Sequence, residues 1–196
     1  MNILSHSHPE NTPGLTKLWN RGYGTNRLDA EIGRAQSDPA HRFSLVLVQF
    51  DGLDSATDQL GHISTDSVWK RVLGVLTGDL GEKDFCCRLG GDEFLLILPD
   101  RTESECRALA ERLRGDWTSA PGTLEGSLEM SVGVASYSDA GSTVKGMFCA
   151  VDEDMFADKD RSQSLQAAAA ALALPAMTRR TPAQRQAQRP LLQVFA

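Results

Sequence analysis

At 196 residues, with 41% hydrophobic and 23% charged side chains, the chain has the make-up of one globular domain plus a tail. A formal net charge of −6 excludes a general nucleic-acid coat, which needs the opposite sign. No run of about 18 apolar residues is present to span a membrane, and "MNILSHSHPENTPG" lacks the charged start and apolar core of a signal peptide, so a cytoplasmic protein is expected.

Residues 1–14 read as a disordered N-terminus in which His6 and His8 are solvated. After the breaker pair Pro13-Gly14, apolar residues at helical spacing (Leu15, Leu18, Trp19, Tyr23, Leu28, Ile32) predict a first helix over 15–36. "FSLVLVQF", from Phe43 to Phe50, is β-rich and almost unbroken in apolar residues, as a central strand would be. Val68, Val72, Val75 and Leu76 mark one face of a second helix that ends near Gly78. "FCCRL" and "FLLILP" follow, joined by Gly90-Gly91-Asp92-Glu93, a hairpin by its glycine punctuation.

Thr102 and Glu105 then form a capping box ahead of a helix whose apolar face is Cys106, Leu109, Ala110 and Leu113. "LEMSVGVASY", Leu128 to Tyr137, predicts a last strand, and Val144 to Asp158 a last amphipathic helix. The order α-β-α-β-β-α-β-α is a ferredoxin-like βαββαβ core with added helices, a mixed α/β sandwich. Cys86 and Cys87 sit in an apolar run and read as buried small hydrophobes, and the four cysteines show no metal-ligand spacing. Beyond Arg161 the text is rich in Ala, Gln and Arg. Four arginines and no acid lie between Ser162 and Ala196, leaving about −10 on the rest; the alanine run suits one short helix, but Pro175, Pro182 and Pro190 favour a flexible tail over 162–196.

The hairpin tip raises a chemical question. Glycine pairs ordinarily mark a turn and nothing more, and acids at a tip ordinarily serve solubility. Here the second strand, "FLLIL", has no polar alternation, which predicts a hairpin in mid-sheet, and "LVLVQFDGLD" delivers more polar groups after another apolar run. Carboxylates converging at strand ends beside a glycine turn suit a divalent cation and a phosphate.

"RLGGDEF" (Arg88 to Phe94) matches the signature of the GGDEF family, the diguanylate cyclases. Four further stretches resemble family motifs in the same order. "LTKLWNR" is similar to L-T-G-L-x-N-R, "DQLGHISTD" to N-D-x-x-G-H-x-x-G-D, "SVGVA" to S-x-G-x-A, and "VDEDMFADK" to A-D-x-A-L-Y-x-A-K. The resemblance covers 15–161 and implies the nucleotidyl-cyclase and polymerase-palm type of fold.

It also implies a reaction: two facing domains, as a homodimer or with another GGDEF domain, each hold a GTP and join the pair into cyclic di-GMP with release of two pyrophosphates, using Mg²⁺ or Mn²⁺. By position, Asp92 is then the metal ligand that helps deprotonate the 3′-hydroxyl, and Glu93 assists metal or phosphate positioning. Gly90 and Gly91 admit phosphates, Thr57, His62 and Asp66 lie in the guanine and ribose region, Lys159 meets a phosphate, and the Phe50 carbonyl is a further metal ligand.

The departures gather at the chemistry. Gly61-His62 fixes the register against D-x-D-x-F-K-x-x-N-D-x-x-G-H, and in that register the metal-binding aspartate is Gln49. The family's lysine becomes Asp54, its guanine-reading asparagine Thr57, and the glycine before Asp66 is Thr65. Asp51 stands two residues along the strand, roughly 6.6 Å away, too far to replace the missing ligand without a backbone shift. The R-x-x-D of the family's product-inhibition site is Gly81-Glu82-Lys83-Asp84, without the arginine, so no such site is expected. The resemblance therefore implies a weakened cyclase, while a fully active cyclase and a non-catalytic GTP-sensing or protein-interaction module stay open.

Overall fold

In the computed structural model the described residues are 18–53, 62–119, 128–138 and 141–177, with the backbone alone described at 62–66 and 173–177. The elements follow the expected order: α1 (Arg21–Ser37), β1 (Phe43–Asp51), α2 (His62–Gly78), β2 (Phe85–Gly90), β3 (Glu93–Pro99), α3 (Glu103–Ser119), β4 (Glu129–Ser136) and α4 (Val144–Met177). The four strands form one antiparallel sheet in the order β2-β3-β1-β4.

Alternation along the strands sorts the core into two layers. Val46, Val48, Phe50, Phe94, Leu96 and Leu98 face α2 and α3, packing with Val72, Leu109, Leu113 and Trp117. Leu45, Leu47, Leu95 and Ile97 face α1 and α4, packing with Leu28, Ile32, Met147 and Val151. The hairpin is not wholly in mid-sheet: β3 is interior, but β2 is an outer strand. It is apolar because α1 lies hard against it, to the point that a Cβ on Gly24 would come within 2.3 Å of Cys87 Sγ. Cys86 and Cys87 are buried free thiols, as expected.

Helix α1 begins at Arg21, later than the apolar spacing predicts, and 15–17 lie outside the described residues. Leu18 and Trp19 precede the helix because Trp19 is used elsewhere: it bridges β2 at Cys87, its carbonyl accepts the Arg88 N–H at 2.9 Å, and its ring stacks on Tyr23 at 4.0 Å. Asn20 then caps the helix, its Oδ1 accepting the Tyr23 N–H at 3.0 Å. The capping box of α3 is present, with Glu105 Oε2 accepting the Thr102 N–H at 2.8 Å and Thr102 Oγ1 the Glu105 N–H at 3.4 Å.

"SVGVA" finds its reason against α4. A Cβ on Gly133 would meet the Val151 carbonyl oxygen at 2.1 Å and the Met155 nitrogen at 2.6 Å, so the helix backbone lies directly on the strand there. Two acids of α4 also serve the outer rim of β4. Asp154 accepts the Val134 N–H at 2.8 Å and Asp158 the Val132 N–H at 3.0 Å. Arg107 of α3 holds both oxygens of Asp154, at 3.1 and 3.2 Å, and Arg114 bonds Asp158 and the Met130 carbonyl. A row of strand groups that would otherwise invite another chain is thereby satisfied by side chains.

The chain divides into two compact units, Met1–Lys159 and Asp160–Ala196. In the second, helix continues as far as Met177, beyond the expected end at Asp158, because alanine is the strongest helix former. Residues 178–196 lie outside the described residues. None of the described helices is long and apolar enough to cross a membrane.

Gly133→Ala is expected to cost about 3 kcal/mol, since the obstacle is backbone that cannot rotate aside, lowering Tm by on the order of 10 °C. Gly74→Ala, in α2 with open space around its new methyl, is expected to raise stability by about 0.5–1 kcal/mol. Thermal denaturation of the two variants checks both signs.

Candidate active site at the hairpin turn

The β2–β3 turn is irregular by design of its sequence. Arg88 pairs with Phe94 and Gly90 with Glu93, so Leu89 is an extra residue on β2, a bulge just ahead of the turn. Gly91 follows at φ 48°, a left-handed conformation that glycine adopts without strain. The turn then closes onto the neighbouring strand, where the Phe50 N–H donates to the Asp92 carbonyl at 3.1 Å. In the β1–β3 register Gln49 stands opposite Glu93. The two strand ends therefore bring Gln49, Phe50, Asp92 and Glu93 together, as the sequence predicts.

The electrostatics are acidic and partly desolvated. Burial holds the Glu93 carboxyl above its ordinary range, the neighbouring Asp92 and the α4 residue Asp152 push it the same way, and Arg21 opposes them. A raised carboxylate is one whose charge the fold disfavours. Two residues further along β1, Asp51 Oδ1 accepts from Lys159 Nζ at 2.6 Å, joining positions 108 apart in sequence. Asp51 Oδ2 is buried and has no hydrogen-bond partner among the described residues. Lys159, expected to meet a phosphate, is thus held by a carboxylate of β1.

Other predicted positions lie further off. Thr57 and Asp54 are outside the described residues, and of His62, Thr65 and Asp66 only the helical backbone, at the start of α2, is described. The segment at the family's inhibition site is engaged internally: Asp84 is buried, accepts the Gly81 N–H at 2.8 Å and pairs with Arg101, while Lys83 pairs with Asp100 at 2.6 Å.

The family model described as "Diguanylate cyclase, GGDEF domain" matches residues 11–164. The chain belongs to the GGDEF family. It is 32% identical over 155 residues to the response regulator PleD of Caulobacter vibrioides, a match that covers 76% of this chain and 34% of PleD. It is 33% identical over 150 residues to the diguanylate cyclase DgcP of Pseudomonas aeruginosa, covering 71% of this chain and 22% of DgcP. The chain thus spans about a third or less of these relatives. A crystal structure of a sensory box/GGDEF family protein from Caulobacter crescentus aligns with a TM-score of 0.64 at 28% identity, over 77% of this chain and 99% of that one. The GGDEF fold, with its cyclase and palm-like architecture, is thereby fixed.

Diguanylate cyclases generally act with a divalent metal, and the donors of this GGDEF domain fit one incompletely. Among the described residues no group of three or more His, Cys, Asp and Glu is placed to hold a metal ion. The oxygens at hand are two carboxylates, one with its charge disfavoured, the Phe50 carbonyl and an amide, while the buried oxygen of Asp51 belongs to a group already paired with Lys159. Arg21 and Asp152, which act on Glu93, were given no role by sequence, although both stand inside family-like stretches, "LTKLWNR" and "VDEDMFADK".

Because the folded state raises the Glu93 pKa above 4.5, its ordinary value, ionised Glu93 weighs against folding at neutral pH, and that burden lifts as pH falls through the raised value. Glu93→Gln is therefore expected to raise Tm in the chelator-treated protein at pH 7, with the gain shrinking towards pH 4.5. Paired thermal scans across that range check the direction.

Proposed function

We propose that this chain is the GGDEF domain of a cyclic di-GMP signalling protein, one that binds GTP and converts two GTP into cyclic di-GMP and two pyrophosphates with weakened turnover. The observation that carries the reading is Gln49 in register opposite Glu93, on the strand end where the family pattern has an aspartate. The glycine turn leaves room for phosphates beside the backbone, and Asp92 is the carboxylate to take the proton from the 3′-hydroxyl as its oxygen attacks the α-phosphate of a GTP on a facing domain. Glu93 positions that arrangement from β3, directly across from Gln49.

Asp92, the Phe50 carbonyl and the Gln49 amide are the oxygens left for a divalent cation, Mg²⁺ or Mn²⁺, whose charge would offset the phosphates. An amide keeps an oxygen there and brings no charge. Lys159 must exchange Asp51 for a phosphate, so its contribution to binding GTP is reduced by the ion pair it leaves. Two such domains, as a homodimer or with another GGDEF domain, complete the reaction. No product-inhibition site is expected, since Gly81-Glu82-Lys83-Asp84 lacks the arginine and Asp84 is engaged with Gly81 and Arg101.

Incubation with GTP and Mg²⁺ or Mn²⁺, followed by product analysis, is expected to give slow cyclic di-GMP formation that Asp92→Ala abolishes. Gln49→Asp is expected to accelerate it by on the order of 10², the usual effect of one charge-stabilising group. Equal rates in the wild type and Gln49→Asp would refute the weakened reading, and GTP-dependent thermal stabilisation without pyrophosphate would point to a sensor. Calorimetry with cyclic di-GMP is expected to show no inhibitory binding, whereas micromolar binding lost in Asp84→Ala would overturn that part.

A further inference from the structure

The turn that carries Asp92 is held from the face opposite Gln49 and Glu93. Arg88, two residues before the glycine pair, curls back so that Nε and one terminal nitrogen both donate to the Gly91 carbonyl, at 2.8 and 2.5 Å. Its guanidinium lies over the ring of Trp69, 4.3 Å from the centroid, and Trp69 is a buried residue of α2. The backbone of Arg88 is fixed in turn, its N–H donating to Trp19 and its position paired with Phe94. One carbonyl further on, Asp92 is held by the Phe50 N–H.

Both peptide groups that flank the Asp92 Cα are therefore pinned by partners from outside the turn. A trans peptide points its C=O and N–H in opposite directions, so fixing the Gly91 carbonyl also fixes the direction of the Asp92 N–H. Glycines at 90 and 91 leave that segment with more conformational freedom than any other residue pair would, and something must remove it before Asp92 has one orientation.

We propose that Arg88, seated on Trp69, is the positioning residue of this site: it sets the Gly91–Asp92 peptide, and with it the orientation of Asp92, without itself meeting the nucleotide. The inference rests on the functional reading above only for its consequence in GTP binding; the clamp itself is a property of the free protein. A planar fork with two parallel donors and a stacking face is needed, and lysine offers neither.

The distinction from a phosphate-binding cation is thus chemical. If Arg88 acted by charge, Arg88→Lys would largely restore what Arg88→Ala loses; as a clamp, the two variants fail alike.

The experiment uses the full chain, with backbone NMR of the free protein and calorimetric titration of GTP in Mg²⁺. The wild type is expected to show single sharp amide signals for Gly90, Gly91 and Asp92. Arg88→Ala and Arg88→Lys are both expected to broaden or double these signals while those of Val132 and Val134 stay in place. GTP affinity is expected to fall about tenfold or more in both, the loss typical of hydrogen bonds from a charged donor. Unchanged turn signals in Arg88→Ala, or recovery of turn and affinity in Arg88→Lys, would overturn the proposal. Broadened turn signals in a protein that binds no GTP would support the clamp and refute the functional reading instead.

Discussion

The pairing of β1 with β3 is the constraint on which the site depends. Both strands are buried on both faces, so neither can slip by one residue without turning a row of apolar side chains to the wrong layer. That fixed register sets Gln49 opposite Glu93 and brings the Phe50 amide to the Asp92 carbonyl. The chemistry at the strand ends is therefore decided by the packing of the strand middles. The backbone that presents position 49 is held by residues several positions away.

The outer elements serve the same end. Helix α4 is laid on β4 at Gly133 so closely that no side chain fits between them, and this closeness brings Lys159 down to Asp51. Helix α3 reinforces the placement through Arg107 and Arg114, which tie the two acids of α4 to the strand. Lys159 and Asp158 are neighbours in sequence with opposite duties, one directed to the site and the other to the rim of the sheet.

Much of this was legible in the sequence because it is local. Helical spacing, the Thr102–Glu105 box and the glycine turn each declare themselves within a few residues, and the GGDEF stretch declares the family. What was not legible depends on distant partners. The start of α1 is displaced because Trp19 is drawn to β2 and stacks on Tyr23, a preference that apolar periodicity cannot express. The Asp51–Lys159 pair spans 108 positions, and nothing in either neighbourhood names the other. The bonds that Asp154 and Asp158 accept from the β4 amides join residues 20 and 26 positions apart, beyond what helical spacing expresses.

That rim has a consequence for assembly. A protein that joins a sheet sideways needs a line of vacant amide donors to zip against, and at Val132 and Val134 those donors are already occupied by carboxylates. Lateral growth of the β-layer past β4 would first have to evict two anions braced by guanidinium groups. This edge of the sheet is therefore closed to strand addition by charge and not by a covering element.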